Sequence, residues 1–346
     1  MNEKLSRILL EIAIDRGLVE IESKSKRSIR NLIDLGDHFA KGKSQKNFYN
    51  IAQKVLANEN SPYYELIFHT VKNVDHNILK TFGINIGFNS WTYGAKRIRQ
   101  YETEKDCNVP WTIVFDFTKS VEDKLSSSKL FNIIKEGKDI GIYTYFFFLD
   151  DNKDKLRELI ELFRLNQNCA FILFVNSNIL EEESISKLKN IGNSIISINM
   201  KGGNSDFNSK IDFLKKNKIL FGVHMIYYDN DTKTILKDDW INDVISLNCT
   251  FAFLIPAFEC NNKNVDLISK YIKDTKTNQK YPIFIIDFFK DIAHVNKIIS
   301  TESYLIKILN NDTVILSYDK NIESFNINNI NFSEIFSKII KKVNPL

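Results

Sequence analysis

The side chains best suited to chemistry in this chain sit near the ends of short apolar runs. Asp116 lies near the end of "WTIVFDF" (111–117) and Asp287 near the end of "PIFIIDFF" (282–289). A carboxylate in such a place can move a proton or hold a cation, and it can equally cap a turn or pair with a lysine. His224 is the one histidine of five that falls on such a run, "LFGVHMIYY" (220–228). An imidazole there could ligate a metal or act as an acid–base group, or simply make one hydrogen bond in a core. Glu259 and Cys260 follow "TFAFLIP" (250–256) and would form a nucleophile only if a base converged on the thiol, which nothing in the sequence indicates. "KGGNSD" (201–206) is a glycine-bearing loop of the sort that can cradle an anion at a helix start. It lacks the glycine spacing of the nucleotide-binding motifs, so a plain turn with Ser205 or Asp206 as cap is the better expectation.

The four cysteines are Cys107, Cys169, Cys249 and Cys260. None forms a C-x-x-C pair, and a disulfide framework is not expected at this density. Cys169 and Cys249 each precede an apolar run and read as small buried hydrophobes. A four-cysteine metal site would have to gather residues from far apart.

The elements that must position these groups change character along the chain. Residues 1–88 read as a helical region. "EKLSRILLEIAI" places Leu5, Ile8, Leu9 and Ile12 at helical spacing, and three similar segments follow. Ser44 and Ser61 are candidate N-caps, with Pro62 at a first helical position. From Val109 onward, short and nearly continuous apolar runs alternate with amphipathic stretches. Strands are expected at 111–117, 142–148, 170–176, 194–200, 220–228, 250–256 and 282–289. Helices are expected at 127–139, 153–166, 181–191, 206–217, 236–246 and 262–276. Apolar strands alternating with helices argue for βα units and a parallel sheet covered on both faces. "YTYFFF" fits core packing better than a base-stacking platform. The expected fold class is therefore α/β, a partial (βα)6-type TIM-like barrel over 89–300. Residues 301–346 form a C-terminal extension. Two strands joined at Asn310-Asn311-Asp312 are expected at 303–319, then a closing helix capped by Ser333.

Composition excludes several roles. The 346 residues carry 47 Lys plus Arg against 43 Asp plus Glu, a net charge of +4, with the two signs interleaved. No nucleic-acid partner is expected from such a balance. No apolar run reaches membrane-spanning length, and "MNEKLSRILLEIAIDRG" lacks the uninterrupted apolar stretch of a signal peptide. A cytoplasmic location is expected.

"FGINIGFNSWTYGAKRIRQYE…CNVPWTIVFDFT" resembles the approach to the first barrel strand in radical S-adenosylmethionine (SAM) enzymes. The resemblance continues through "IIKEGKDIGIYTYFFF", "CAFILFVNSNILEEESISKLKNIGNSIISINMKG" and "ILFGVHMIYY", over about residues 82 to 320. It implies the barrel, an auxiliary-cluster type of C-terminus, and a C-x-x-x-C-x-x-C loop after the first strand. In the family three thiolates of that loop hold a [4Fe–4S] cluster, whose open iron binds SAM. Here "FDFT" is followed by "KSVEDKLSSSKLFN", Lys119 to Asn132, which contains no cysteine, histidine or methionine. It is also shorter than the family's loop. The family's Gly-Gly-Glu stretch corresponds to Leu149-Asp150-Asp151, so Asp151 alone keeps a carboxylate. Lys201 stands where the family has an acidic residue after the fourth strand. Asn176 is retained after the third, with Ser177 in place of glycine. The C-terminal segment "SYLIKILNNDTVILSYDKNIESF" has no cysteine either.

The resemblance thus implies a degenerate member. The expectation is a non-catalytic binding or scaffold partner without a cofactor, working with an intact radical SAM paralogue or its protein or peptide substrate. A second expectation is cluster-independent binding of SAM, a nucleotide or another small metabolite. The ligand-pocket candidates are then Asp116, Asp151, Asn176, Lys201 and His224. A third is a radical SAM enzyme with unusual cluster ligation.

Overall fold

The computed structural model describes residues 3–39, 43–119, 125–201, 206–300, 304–318 and 321–327, with Phe332, Ile335 and Phe336. The chain divides into two compact units. The first holds Met1–Lys80, Asn176–Leu180 and Ile195–Asp291; the second holds Thr81–Val175, Glu181–Ser194 and Ile292–Leu346.

The first unit opens with four helices, Glu3–Glu22, Lys26–Phe39, Lys43–Ala57 and Tyr63–Asn73. Their apolar stripes meet around Leu18, Ile21, Ile29, Leu56, Tyr64 and Val71. The Tyr64 hydroxyl donates to the Leu56 carbonyl at 2.5 Å, which lets a polar atom enter this core. Ser61 accepts the Tyr63 N–H at 3.3 Å, so it caps the last helix as the sequence suggests. The helix expected to start after Ser44 already begins at Lys43.

The strands are β1 (Thr112–Asp116), β2 (Thr144–Asp150), β3 (Ala170–Val175), β4 (Ser194–Asn199), β5 (Phe221–Tyr227), β6 (Phe251–Pro256), β7 (Phe284–Asp287), β8 (Tyr304–Leu309), β9 (Thr313–Tyr318) and β10 (Asn321–Asn326). In the first unit β4, β5, β6 and β7 pair in that order, all parallel. In the second, β8 pairs parallel with β1, β1 with β2 and β2 with β3, while β9 and β10 continue antiparallel from β8. The molecule is thus mixed α/β, built largely on parallel sheet, with helices between consecutive strands from β1 to β8.

The aromatic run of β2 packs on both faces of its sheet. Tyr145 and Phe147 are fully buried with Phe115 and Phe171; the Phe115 and Phe147 rings are 5.0 Å apart and Phe163 stacks on Phe171 at 4.0 Å. On the opposite side Phe148 stacks on Phe174 at 4.3 Å. A strand buried on both faces needs no polar alternation, which is why these runs read as continuously apolar.

The approach segment is less regular than its sequence suggests. Residues Asn85–Gly94 form a π-helix that runs into the helix Ala95–Lys105. Asn85 donates to the carbonyls of Gln167 and Cys169, both at 2.8 Å, and Asn89 to that of Asn168 at 2.9 Å. Those bonds satisfy the buried turn that leads into β3. Gly94 and Gly141 meet backbone to backbone: a Cβ on Gly94 would lie 2.3 Å from the Gly141 oxygen. Only glycine permits that approach.

Three expectations need correction. The strand expected over 282–289 ends at Asp287, and a helix, Phe288–Ile299, begins at once. The Asp287 carboxylate accepts the Lys290 N–H at 3.4 Å and caps that helix. Asp206 precedes the helix Phe207–Lys216 without capping it, since its carboxylate accepts the Ser177 hydroxyl instead at 2.8 Å. The hairpin at Asn310–Asp312 forms, but its first strand is also the parallel neighbour of β1, and β10 adds a third strand that the sequence did not announce. Ser205 and Ser333 lie outside the described residues.

Candidate functional site

The C-terminal ends of parallel strands are where α/β proteins gather their chemistry, because loops and helix starts converge there. Each unit offers one such edge.

In the second unit the edge is formed by β8, β1 and β2. Asp116, the last residue of β1, pairs with Lys307 of β8. It also accepts both the backbone N–H of Thr118 (3.1 Å) and its hydroxyl (2.6 Å). Burial acts to raise the Asp116 carboxyl, but the Lys307 ammonium and the Thr118 donors outweigh it and hold the group below the usual carboxylate range. Asp150 ends β2 in a left-handed conformation, φ 45°, where the β2–β3 register shifts. Its carboxyl is raised, first by burial and then by the charges of Asp116 and Asp151. Of the sequence candidates, this edge brings Asp116 and Asp151 into electrostatic reach of the same neighbour, Asp150.

The chain leaving β1 is pinned on both sides of residues 120–124, which are not described. Phe117 and Leu125 are buried. The Leu125 N–H donates to the Asn310 carbonyl at 2.6 Å, and Asn310 in turn donates to the Lys119 carbonyl at 3.4 Å. Lys155 is almost wholly buried. Its ammonium lies 4.9 Å from the Phe117 ring centre, donates to the Leu125 carbonyl at 3.3 Å, and pairs with Glu158 at 2.6 Å. Lysine is rarely buried unless its charge is met in this way. Nothing in the sequence marks Lys155, Lys307 or Asp150 as a site residue. A lysine in the first turn of a helix and one in a strand carry no motif, and only the pairing register reveals them.

In the first unit the edge is formed by β4 to β7. Lys201 pairs with Asp231 and lies over the Tyr228 ring at 5.7 Å. Asp229 accepts from the Asn261 N–H (2.9 Å), the Asn264 amide (2.7 Å) and the Cys260 thiol (3.3 Å). Those donors, Asn264 first, hold its carboxyl low. Asn176 is nearly buried at the start of the short turn Ser177–Ile179. His224 is fully buried in β5, 3.2 Å from the Ser197 hydroxyl, and burial pushes its pKa down to about 3. It is a neutral core imidazole, withdrawn from the edge where Lys201 stands.

A cluster cofactor can be tested against the four thiols. Cys169 and Cys249 are buried, and desolvation pushes each up to about 12. Cys260 is pushed up to about 11 by burial and by its hydrogen bond to Asp229. Cys107 is fully buried. Cluster ligands must be thiolates that converge. Cys169, Cys249 and Cys260 favour the protonated form, and no group of three His, Cys, Asp or Glu able to hold a metal occurs among the described residues. Among the described residues no set of thiols converges as such a cluster would require.

No protein-family model matches this chain, and no curated protein matches it. Among solved structures it is similar to SuiB of Streptococcus suis, crystallised bound to S-adenosylmethionine. The identity is 9% and the TM-score 0.49, over 71% of this chain and 68% of that one. No helix among the described residues is long and apolar enough to cross a membrane.

Proposed function

We propose that this chain is a radical-SAM-like protein that has lost its cluster loop and acts as a non-catalytic binding or scaffold partner. Its strands would form a partial (βα)6-type barrel, with 1–88 as a helical region, 89–300 as the barrel and 301–346 as the remnant of an auxiliary-cluster region. The observation that carries this reading is the crossing from β1 to its helix. Only Thr118 to Lys124, seven residues without a cysteine, join buried Phe117 to buried Leu125. Both ends of that span are tied down, one through Asn310 and the other through Lys155. A short, anchored crossing has neither the ligands nor the length to wrap a cluster. The partner would be an intact radical SAM paralogue or that paralogue's protein or peptide substrate, met in the cytoplasm. Anaerobic incubation with SAM and a strong reductant tests the loss of catalysis. No SAM cleavage is expected, and turnover would overturn the reading.

A second reading has its own support. Asp150 feels the charges of both Asp116 and Asp151, and a raised Asp150 would gain from a cationic ligand. SAM, with its sulfonium and ammonium, has that chemistry. At 100 times its dissociation constant a ligand stabilises its protein by about 2.7 kcal/mol. A thermal-shift titration with SAM should show that gain if this reading is correct, and no shift if the chain only scaffolds.

A further inference from the structure

A cleft of about 220 Å³ opens in the first unit at the N-terminal ends of β5 and β6, away from the strand ends described above. Its floor is apolar: Ile219 and Phe221 are each less than 5% exposed. It is lined also by His69 and Asn73 from the helix Tyr63–Asn73, by Lys215 from the helix Phe207–Lys216, and by Asn248 and Thr250. No aspartate or glutamate lines it. Burial first, then the charges of Lys215 and Lys72, hold the His69 ring below its usual pKa. With the His69 ring held low, Lys215 is the cation among the lining residues, and its partner Asp212 is not one of them. Lys215 reaches Asp212 only at 3.4 Å, in an exposed i,i+3 pair worth little, so its ammonium can turn to a ligand.

Last-turn cations are often explained by their helix ends, whose carbonyls they complement. That accounts for Lys72 and Lys215 singly. It does not account for an imidazole, a lysine and two carboxamides meeting over an apolar floor. We propose that this cleft binds a small organic oxyanion, with a phosphate or carboxylate head between His69 and Lys215 and an apolar body on Ile219 and Phe221. The volume falls below the roughly 300–1,000 Å³ of drug-sized sites, so the ligand is about the size of one substituted ring.

The full chain can be titrated with phenyl phosphate, benzoate and the neutral control benzyl alcohol, followed by calorimetry and by NMR of the histidine rings. At least one anion should bind, shift the His69 resonances and raise the ring's pKa, while benzyl alcohol should not. Phenyl phosphate against benzoate identifies the head group. Lys215→Gln, at a side chain that is 35% exposed, should weaken binding about tenfold, the loss of one charge-assisted contact, with an unchanged melting temperature. The proposal is overturned if neither anion moves His69, if benzyl alcohol binds as well, or if Lys215→Gln leaves affinity intact. It does not rest on the scaffold reading, and cluster uptake would not bear on it.

Discussion

Two ion pairs, one in each unit, differ in almost nothing except their company. Lys307–Asp116 closes the end of β1, and Lys201–Asp231 closes the end of β4. The lysines are 38% and 39% exposed and both aspartates 16%. Each aspartate also takes a backbone N–H, from Thr118 at 3.1 Å and from Tyr228 at 2.8 Å. Lys201 has a ring to lie over and one acid to satisfy. Asp116 instead has a further acid near it, Asp150, and its charge helps push that carboxyl up. Lys307 is the cation that holds Asp116 low while Asp150, which feels the Asp116 charge, stands raised. A pair's geometry therefore says less about its weight than the charges it holds in check.

The scale for testing that comparison is set by a residue outside both pairs. His224 is neutral in the fold down to a pKa of about 3, against an ordinary value of 6.5. The unfolded chain takes up the proton first. Its contribution is thus fully present above pH 6.5 and is lost as pH falls toward 3. Between pH 7 and pH 4 that loss is at most about 3 kcal/mol. Urea unfolding at the two pH values should show it, and His224→Gln should lack that share. An identical pH profile in the variant would contradict a buried neutral imidazole.

The next effect separates the pairs directly. Lys307→Met leaves Asp116 facing Asp150 without its cation, and should cost about 1–2 kcal/mol after allowance for solvent screening. Carboxyl NMR should show Asp116 and Asp150 both titrating at higher pH. Lys201→Met should cost less, under about 1 kcal/mol. Equal losses would mean that the neighbouring acid does not matter.

The smallest effect sharpens the same point. Asp150→Asn keeps a residue tolerant of the left-handed φ and removes the disfavoured charge. It should raise stability by about 0.5 kcal/mol at neutral pH. In the Lys307→Met background the gain should grow, because more repulsion is relieved. A gain of the same size in both backgrounds would uncouple Lys307 from Asp150.

The strands and most helices were legible in the sequence because strands buried on both faces print as unbroken apolar runs. "PIFIIDFF" shows the limit. A run of that kind carries no period to mark where β7 stops, and the boundary rests on one carboxylate, Asp287, accepting a helical N–H. The edge residues were half legible. Asp116 was readable from its place at a strand end. Lys307 was not, because a lysine in "SYLIKIL" gains its role only once β8 lies parallel to β1. His224 has the buried place and the hydrogen bond, to Ser197, of the core histidine that its strand position also allowed.

The central claim is that the crossing after β1 no longer supports a cluster. Anaerobic reconstitution of the full chain with iron and sulfide, followed by iron and sulfide counts and EPR of the reduced sample, measures this directly. Substoichiometric iron that is lost on desalting, and no cluster signal on reduction, is the predicted result. Four irons and four sulfides retained per chain, with a reduced [4Fe–4S] spectrum, would contradict it.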